Sequence, residues 1–538
     1  MSGDIARAVW TTRCVASAIA IACSLLAYSL TGERAIGLHD EGLYLATARA
    51  LADSGEYRLI NLPSAPPQTK YPPAYPAALA LTGRALGVTG MHVRPLKIVN
   101  AVSLAVIVVC AAELARRLTG GSAVASLAAA LLTGSSQGLV THVDVICSDL
   151  MFIGVLLGAL LVAEGARRPA AGSAAGILLG LAIVTRTIGA TALVGTAITP
   201  LGRLRQMRLI IGPGLIVALG WVSWCRWSRA AVGPLEQYYV AYERFVWMDA
   251  LSAPAFAWRV VSANASQYLH ALPWALGAPE GVTALALATG ATLGAWRVRR
   301  HLLLGTIAGL GVCYAFVLLA YPAMFARYLL PVIPVAYALV ASGLAPQPEH
   351  RNRSLAALVS ATCCALLVTA NVAELRQFAS QPGNRVHTGF GQYLPFGESG
   401  FLQTAEWIRD HTPVDARLGS ANDTAYFTLT GRRGVRPWPH EPESYNPAYG
   451  HAPETPTVDV PGELERIGVH YLIVDPYLSD AEGAHAARYT ETILHAPGRC
   501  WQLVFTSDDG LHRIYQQIGP TGDCAPRQAR AALTPAPD

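Results

Sequence analysis

Lysine is nearly absent from this chain of 538 residues: Lys70 and Lys97 stand against 38 arginines, and charged residues of both signs make up only 14% of the whole. So sparse a charge, scattered between apolar runs, excludes the basic face that a nucleic-acid-binding surface needs, and no nucleic-acid partner is expected. No Cys-x-x-Cys pair occurs, which leaves thiolate metal sites and redox motifs without support. The first apolar segment lacks an Ala-x-Ala cleavage site where one should lie, so it reads as a retained anchor and not as a signal peptide. Nor is there a clear internal repeat of the kind that paired transporter halves display. The scarcity of lysine also fits a high-GC genome.

What the chain has in abundance is apolar residues, at 52%, with a mean hydropathy of +0.35. Crossing the hydrocarbon core as a helix takes about 20 apolar residues. Runs suited to spans lie at 15–30, 98–115, 124–140, 149–163, 209–227, 282–296, 302–321, 328–343 and 355–372. The stretch 174–200 is long enough for a hairpin of two short helices with Arg186-Thr187 near its turn, for a total of about 11 spans. Arginine clusters set the orientation, because short Arg-rich loops stay cytoplasmic. Arg7 and Arg13, Arg116-Arg117, Arg167-Arg168, Arg203/Arg205/Arg208, Arg297/Arg299/Arg300 and Arg351/Arg353 fall at every second junction. One topology satisfies them all, with the N-terminus inside and 31–93, 228–273 and everything after about residue 373 outside. The net charge of +5 is therefore first of all a topological signal.

The chain thus divides into a membrane domain, 1–372, an external α/β domain, 373–524, and an Ala/Pro-rich tail, 525–538, expected to be disordered. In the external domain Phe401, Leu402, Ala405 and Ile408 form one stripe of a helix that Pro413 stops. The run 469–474 reads as a buried strand, and 501–506 and 511–517 flank a Ser507-Asp508-Asp509-Gly510 turn. The segment 438–458, crowded with Pro, Glu and Tyr, reads as an ordered irregular loop. Eight cysteines lie in or beside spans, where a thiol behaves as a small apolar group; Cys500 and Cys524 are the two outside, and an oxidising compartment would join them in a disulfide.

Chemistry concentrates on the external side. His39-Asp40-Glu41 follows the first span, and Lys70-Tyr71-Pro72-Pro73 follows a short loop later. A carboxylate there can take a proton from an attacking hydroxyl, and a lone ammonium can hold a departing phosphate. The plainer alternative for Asp40 and Glu41 is that acids favour the positive end of the helix 41–52, whose apolar side would lie in lipid. Lys70 sits on a chain stiffened by prolines that lead into a helix over 74–86; an ordinary interfacial lysine would snorkel from the same place. Asp149, at the outer end of a span, is favoured over Asp144 because apolar residues follow it at once, although a helix cap beside Ser148 explains it equally simply. Arg327-Tyr328 and Arg186 are placed on the same side, where an arginine can bind a phosphate bidentately or anchor to headgroups.

In this order the motifs resemble those of the polyprenyl-phosphate-sugar-dependent glycosyltransferases of the GT-C fold, the group of protein mannosyltransferases, aminoarabinose transferases and rhizobial core-galacturonosyltransferases. The residues that carry the resemblance are Asp40-Glu41 with Tyr44 and Ala48, Lys70-x-Pro-Pro, Ser148-Asp149-x-x-Phe152, Thr185-Arg186, Arg327-Tyr328-Leu329-Leu330-Pro331 and Trp407-Ile408, spread over about residues 1–430. Tyr71 departs from the commoner uninterrupted Lys-Pro-Pro. The resemblance implies a polytopic helical membrane enzyme that transfers a sugar from a polyprenyl-phosphate donor to a hydroxyl of an envelope glycan, lipid or protein. Asp40 would be the general base, with Glu41 orienting it or raising its pKa by like-charge proximity. Lys70, Arg327 and Arg186 would hold the donor phosphate, and Asp149, Tyr44 and Tyr328 would support them. A single displacement would invert the anomeric centre. The expected setting is the bacterial inner membrane, with the external domain periplasmic.

No cofactor is expected. Asp40, Glu41, Asp149 and His142 are hard ligands that suit Mg²⁺ or Mn²⁺, but nothing in their spacing requires an ion when cationic side chains can do the same electrostatic work. The rival readings are a flippase for a lipid-linked sugar, which wants charge near the bilayer midplane, and an accessory subunit without activity, against which the joint presence of Asp40 and Lys70 argues. Aromatic residues Tyr238-Tyr239, Tyr242 and Trp247 of the loop 228–273 are candidates for stacking on an acceptor sugar, or for an interfacial belt.

Overall fold

The computed structural model describes residues 3–34, 39–88, 92–164, 169–198, 204–242, 245–249, 251–277, 281–321, 325–345, 353–380, 398–439, 458–476 and 480–518. Apolar runs become helices because a helix satisfies its own backbone where no water can. The N-terminal part begins with α1 (Gly3–Ser29), α2 (His39–Asp53), α3 (Ala74–Leu86), α4 (Ile98–Leu118), α5 (Ala123–Gly134), α6 (Gln137–Thr141), α7 (Asp149–Glu164), α8 (Pro169–Thr185) and α9 (Ala190–Ile198). It continues with α10 (Leu204–Trp227), α11 (Gln237–Val240), α12 (Pro254–Ala275), α13 (Gly281–Val298), α14 (Leu302–Ala320), α15 (Val332–Ser342) and α16 (Arg353–Ala379). Among the described residues five helices are long and apolar enough to cross a membrane, and a sixth span arises if one bent pair counts as one. The hairpin expected over 174–200 forms as α8 and α9, with Arg186 at its turn.

Two stretches depart from their sequence readings. The run 124–140, expected as one span, breaks after α5 and turns by 50°. The backbone freed there is met by a neighbour, since Gln137 N–H donates to Asn371 Oδ1 of α16 at 2.9 Å. A broken helix is tolerated inside a membrane protein on that condition. Residues 254–273, read as part of an external loop, fall in the 22-residue helix α12, which packs against α14. Arg259, Asn264 and Gln267 interrupt its apolar run, so local hydropathy missed it.

The expected external elements are present as α17 (Glu398–His411), with Phe401, Ala405 and Ile408 buried, and as a five-stranded sheet. Its strands are β1 (Arg417–Gly419), β2 (Arg433–Val435), β3 (Tyr471–Val474), β4 (Trp501–Thr506) and β5 (Arg513–Gln517), in the order β2-β1-β3-β5-β4. β1 lies parallel to β2 and β3, and β3, β5 and β4 run antiparallel, so the expected hairpin is β4–β5. Among the described residues this part also contains helices α18 (Asp423–Thr430), α19 (Val460–Ile467) and α20 (Asp480–Leu494). Cys500 is disulfide-bonded; its expected partner Cys524 lies outside the described residues, as do most of the expected loop 438–458 and the tail.

The sheet shares a core with the loops that leave the membrane helices. Leu43 of α2, Leu59, Leu62, Leu235 and Tyr239 pack with Val435, Leu464, Val469 and Leu472 in one buried cluster. Each such side chain contributes about 1.5–3 kcal/mol when fully buried. Backbone bonds add to the junction, with Gly434 N–H donating to the Asn61 carbonyl at 2.9 Å. This corrects the expectation for α2. Nine of its residues are buried against protein, so its apolar side meets α3 and α18 and not lipid.

Candidate active site

Asp40 lies in the first turn of α2, and the chain that leaves α1 is held at Gly32 and Arg34. Lys97, itself buried, donates from Nζ to the carbonyls of Gly32 and Arg34 at 3.0 and 2.8 Å and to Asp144 Oδ1 at 2.6 Å. The second of the two lysines is thus a staple for the exit of α1, and Asp144 is its partner, not a member of the site.

Two donors share the Asp40 carboxylate. The Tyr71 hydroxyl donates to Oδ1 at 2.7 Å, and the Arg327 guanidinium pairs with Oδ2. Arg327 arrives on a short 3-10 turn, Ala326–Leu329, where it also donates to Cys147 Sγ at 3.3 Å and lies near the Tyr328 ring. Burial alone would push the Asp40 carboxyl up, but Arg327 and Tyr71 outweigh it and hold the group well below the usual carboxylate range. Burial and the neighbouring carboxylate push the Tyr71 phenol well up, so it stays protonated and donates.

Glu41 has a partner of its own. Its Oε1 accepts the Ile146 backbone N–H at 2.8 Å, in a fully buried position beneath the site. The expected lift of the Asp40 pKa by like-charge proximity is corrected: Arg327 and Tyr71 hold that carboxyl low, and Glu41 is bonded to the Ile146 backbone.

Lys70 is buried on a loop that Gln68 pins, its Oε1 accepting the backbone N–H groups of Lys70 and Tyr71 at 2.8 and 3.1 Å. The ammonium donates to the Tyr238 carbonyl at 2.9 Å and stands 3.9 Å from the centre of the Tyr238 ring. Tyr71 thus bridges the two groups, bonded to Asp40 and adjoining Lys70, and the residue that interrupts Lys-Pro-Pro is part of the site. Tyr44 donates to or accepts from Ser148 Oγ at 2.8 Å, and its ring meets Tyr71 edge-on at 5.2 Å.

A second ion pair lies alongside. Asp149, at the start of α7, pairs through Oδ1 with Arg186 and faces His142 Nε2 through Oδ2 at 3.4 Å. Arg186 stands 5.3 Å from the centre of the Tyr328 ring, on whose other neighbour, Arg327, the Asp40 pair depends. His142, Cys147 and Asp149 offer ligand atoms within 4.8 Å of one another. Guanidiniums already engage the cysteine sulfur and the aspartate, so this trio is poorly suited to a cation.

Two participants escaped the sequence reading, Asp423 and Arg436. His39 Nε2 meets Asp423 Oδ1 of α18 at 2.9 Å, and the Tyr238 ring, one of the aromatic candidates for stacking, lies against both Lys70 and Arg436. The only local signal for His39 was its position directly before Asp40; Asp423 and Arg436 carry none.

No family model matches the chain, and no curated protein does either. Solved structures do match. ArnT from Cupriavidus metallidurans in the apo state is 15% identical, with 93% of this chain and 97% of that chain covered at a TM-score of 0.55. The same protein bound to undecaprenyl phosphate is 16% identical, with 96% and 99% covered at 0.53. The Archaeoglobus fulgidus oligosaccharyltransferase, tethered with an acceptor peptide containing the NVT sequon, is 13% identical, with 94% and 74% covered at 0.54. With these neighbours over nearly its whole length, and with its apolar helices and small C-terminal sheet, the chain is a polytopic helical membrane protein of the GT-C fold.

Proposed function

We propose that this protein is an inverting glycosyltransferase that moves a sugar from a polyprenyl-phosphate donor to an acceptor hydroxyl of a cell-envelope glycan, lipid or protein. The observation that carries the reading is the Asp40 carboxylate held between the Tyr71 phenol and the Arg327 guanidinium, with the Lys70 ammonium beside them. Structural likeness to ArnT bound to undecaprenyl phosphate supports a lipid phosphate as the leaving group.

Residues follow from the chemistry. A donor phosphate brings negative charge that competes with Asp40 for Arg327, and Arg186 and Lys70 add two further cations around it. As Arg327 turns to the phosphate, Asp40 loses the partner that suppresses its basicity. The acceptor oxygen attacks the anomeric carbon and its proton passes to Asp40, while the bond from that carbon to the phosphate oxygen breaks and the polyprenyl phosphate leaves on the cations. One displacement inverts the centre. Glu41 serves by fixing the Ile146 backbone under α2, and Asp149 by holding Arg186. The arginine clusters support a periplasmic face of the inner membrane for this chemistry, with the N-terminus cytoplasmic. The division at about residue 372 into a membrane domain and a periplasmic domain belongs to the same reading, and no metal or other cofactor is assigned.

The test is mass spectrometry of lipid A, surface glycans and envelope proteins from cells with wild-type protein, none, or Asp40→Asn at matched abundance. Loss of one glycoform from both the null and the Asp40→Asn cells is expected, and the missing mass names sugar and acceptor. A glycoform lost from the null but kept by Asp40→Asn overturns the catalytic role of Asp40 and favours a flippase or an accessory subunit.

A further inference from the structure

The first turn of α2 is clamped by the first turn of α18, which belongs to the C-terminal sheet region and not to the membrane helices. Three contacts make the clamp. The His39 ring meets Asp423 Oδ1 through Nε2 at 2.9 Å. The Thr424 hydroxyl donates to the His39 carbonyl at 2.8 Å. The backbones touch at Gly42, where any Cβ would stand 2.5 Å from the Thr424 carbonyl oxygen. All three fall within two residues of Asp40. Packing alone does not require a buried carboxylate and imidazole, whose desolvation is costly unless each is matched. Here Asp423 is 1% exposed, and the His39 ring is further enclosed by Tyr238 and Tyr239 at 5.7 and 5.5 Å.

From this geometry we propose that Asp423, acting through His39, is a positioning residue for Asp40, so that the C-terminal region completes the active site; the inference rests on the transfer reading above. A neutral imidazole whose Nε2–H donates to Asp423 fixes the ring, and the Thr424 bond fixes the peptide that leads into Asp40. Without them the carboxylate keeps its charge and its two donors, but its aim at the acceptor hydroxyl loosens. A misplacement of about 1 Å costs on the order of 100-fold in transfer.

The test separates aim from folding and from donor binding. Full-length wild type, Asp423→Ala, Asp423→Asn and Thr424→Val are compared for binding of undecaprenyl phosphate in detergent and for the glycoform made in null cells at matched abundance. Asp423→Ala is expected to bind the lipid phosphate within about twofold of wild type while its glycoform falls about tenfold or more. Asp423→Asn, whose amide oxygen still accepts from Nε2–H, is expected to recover at least about half. Thr424→Val, nearly isosteric, decides the matter if Asp423→Ala does not accumulate: a loss of about threefold or more with lipid binding intact supports the clamp. Wild-type transfer by Asp423→Ala or by Thr424→Val overturns the inference. So does a loss of lipid binding in step with transfer, which is what a merely structural pair would give. If null cells lack no glycoform, it is the transfer reading that fails, and this one falls with it.

Discussion

Replacing Arg327 with Gln removes the partner that most favours the charged form of Asp40 and leaves the carboxylate its hydrogen bond from Tyr71. Breaking a buried pair from one side costs about 3–5 kcal/mol. Here the side chains of Arg327 and Asp40 keep 11% and 13% of their exposure, so some solvation survives and the lower end, about 3 kcal/mol, applies. Asp40→Asn strands the guanidinium by the same logic. In the double variant neither charge remains, and two amides can bond each other, so the costs should not add. The coupling energy is expected at about 1.5–3 kcal/mol. Transfer behaves otherwise: loss of the phosphate cation costs about 10²–10³-fold, loss of the base about 10²–10⁴-fold, and the double variant recovers neither. Denaturant titration of the four proteins in one mixed micelle gives the first quantity, and glycoform yield in null cells gives the second. Additive stabilities within about 0.5 kcal/mol refute the pair, and a double variant that regains transfer refutes the separate roles.

Lys70→Met removes the ammonium but keeps most of the stem, and is expected to weaken binding of undecaprenyl phosphate by about 1.5–3 kcal/mol, on the order of 10- to 100-fold, as measured in detergent. Gly42→Ala drives a methyl group into the Thr424 backbone, with an expected loss of about 1–3 kcal/mol in denaturant titration; an unchanged midpoint would mean α2 and α18 do not touch there. His39 is faced by Asp423, Asp40 and Arg436, and burial, with Arg436, pushes its pKa below the ordinary 6.5. The unfolded chain therefore takes up a proton first as pH falls below about 6.5, and stability drops toward acid by up to about 1.4 kcal/mol per unit. His39→Gln should flatten that decline between pH 6.5 and pH 5, and parallel curves for the two proteins would refute it.

Much of the fold is legible along the chain because its signals are local. Apolar runs, Pro72-Pro73 before α3, the Arg186-Thr187 turn between α8 and α9, and the stripe Phe401, Ala405, Ile408 each lie within one element. The failures are also local in cause. Gly134-Ser135-Ser136-Gln137 interrupts a run that is apolar on either side, and the polar residues of α12 hide a helix that packs on α14.

The sequence by itself determined the membrane character, many of the helices, and the residues with chemistry to offer, Asp40, Lys70, Asp149, Arg186 and Arg327, because composition, periodicity and charge act between near neighbours. Only the tertiary structure decided which of them meet. Arg327 reaches Asp40 across 287 positions, and Asp423 reaches His39 across 384. It also bonded Glu41 to the Ile146 backbone, gave Lys97 to Asp144, and drew Tyr71 into the site. Such pairings depend on where packed helices bring distant chain segments together, and no spacing along the chain encodes that distance.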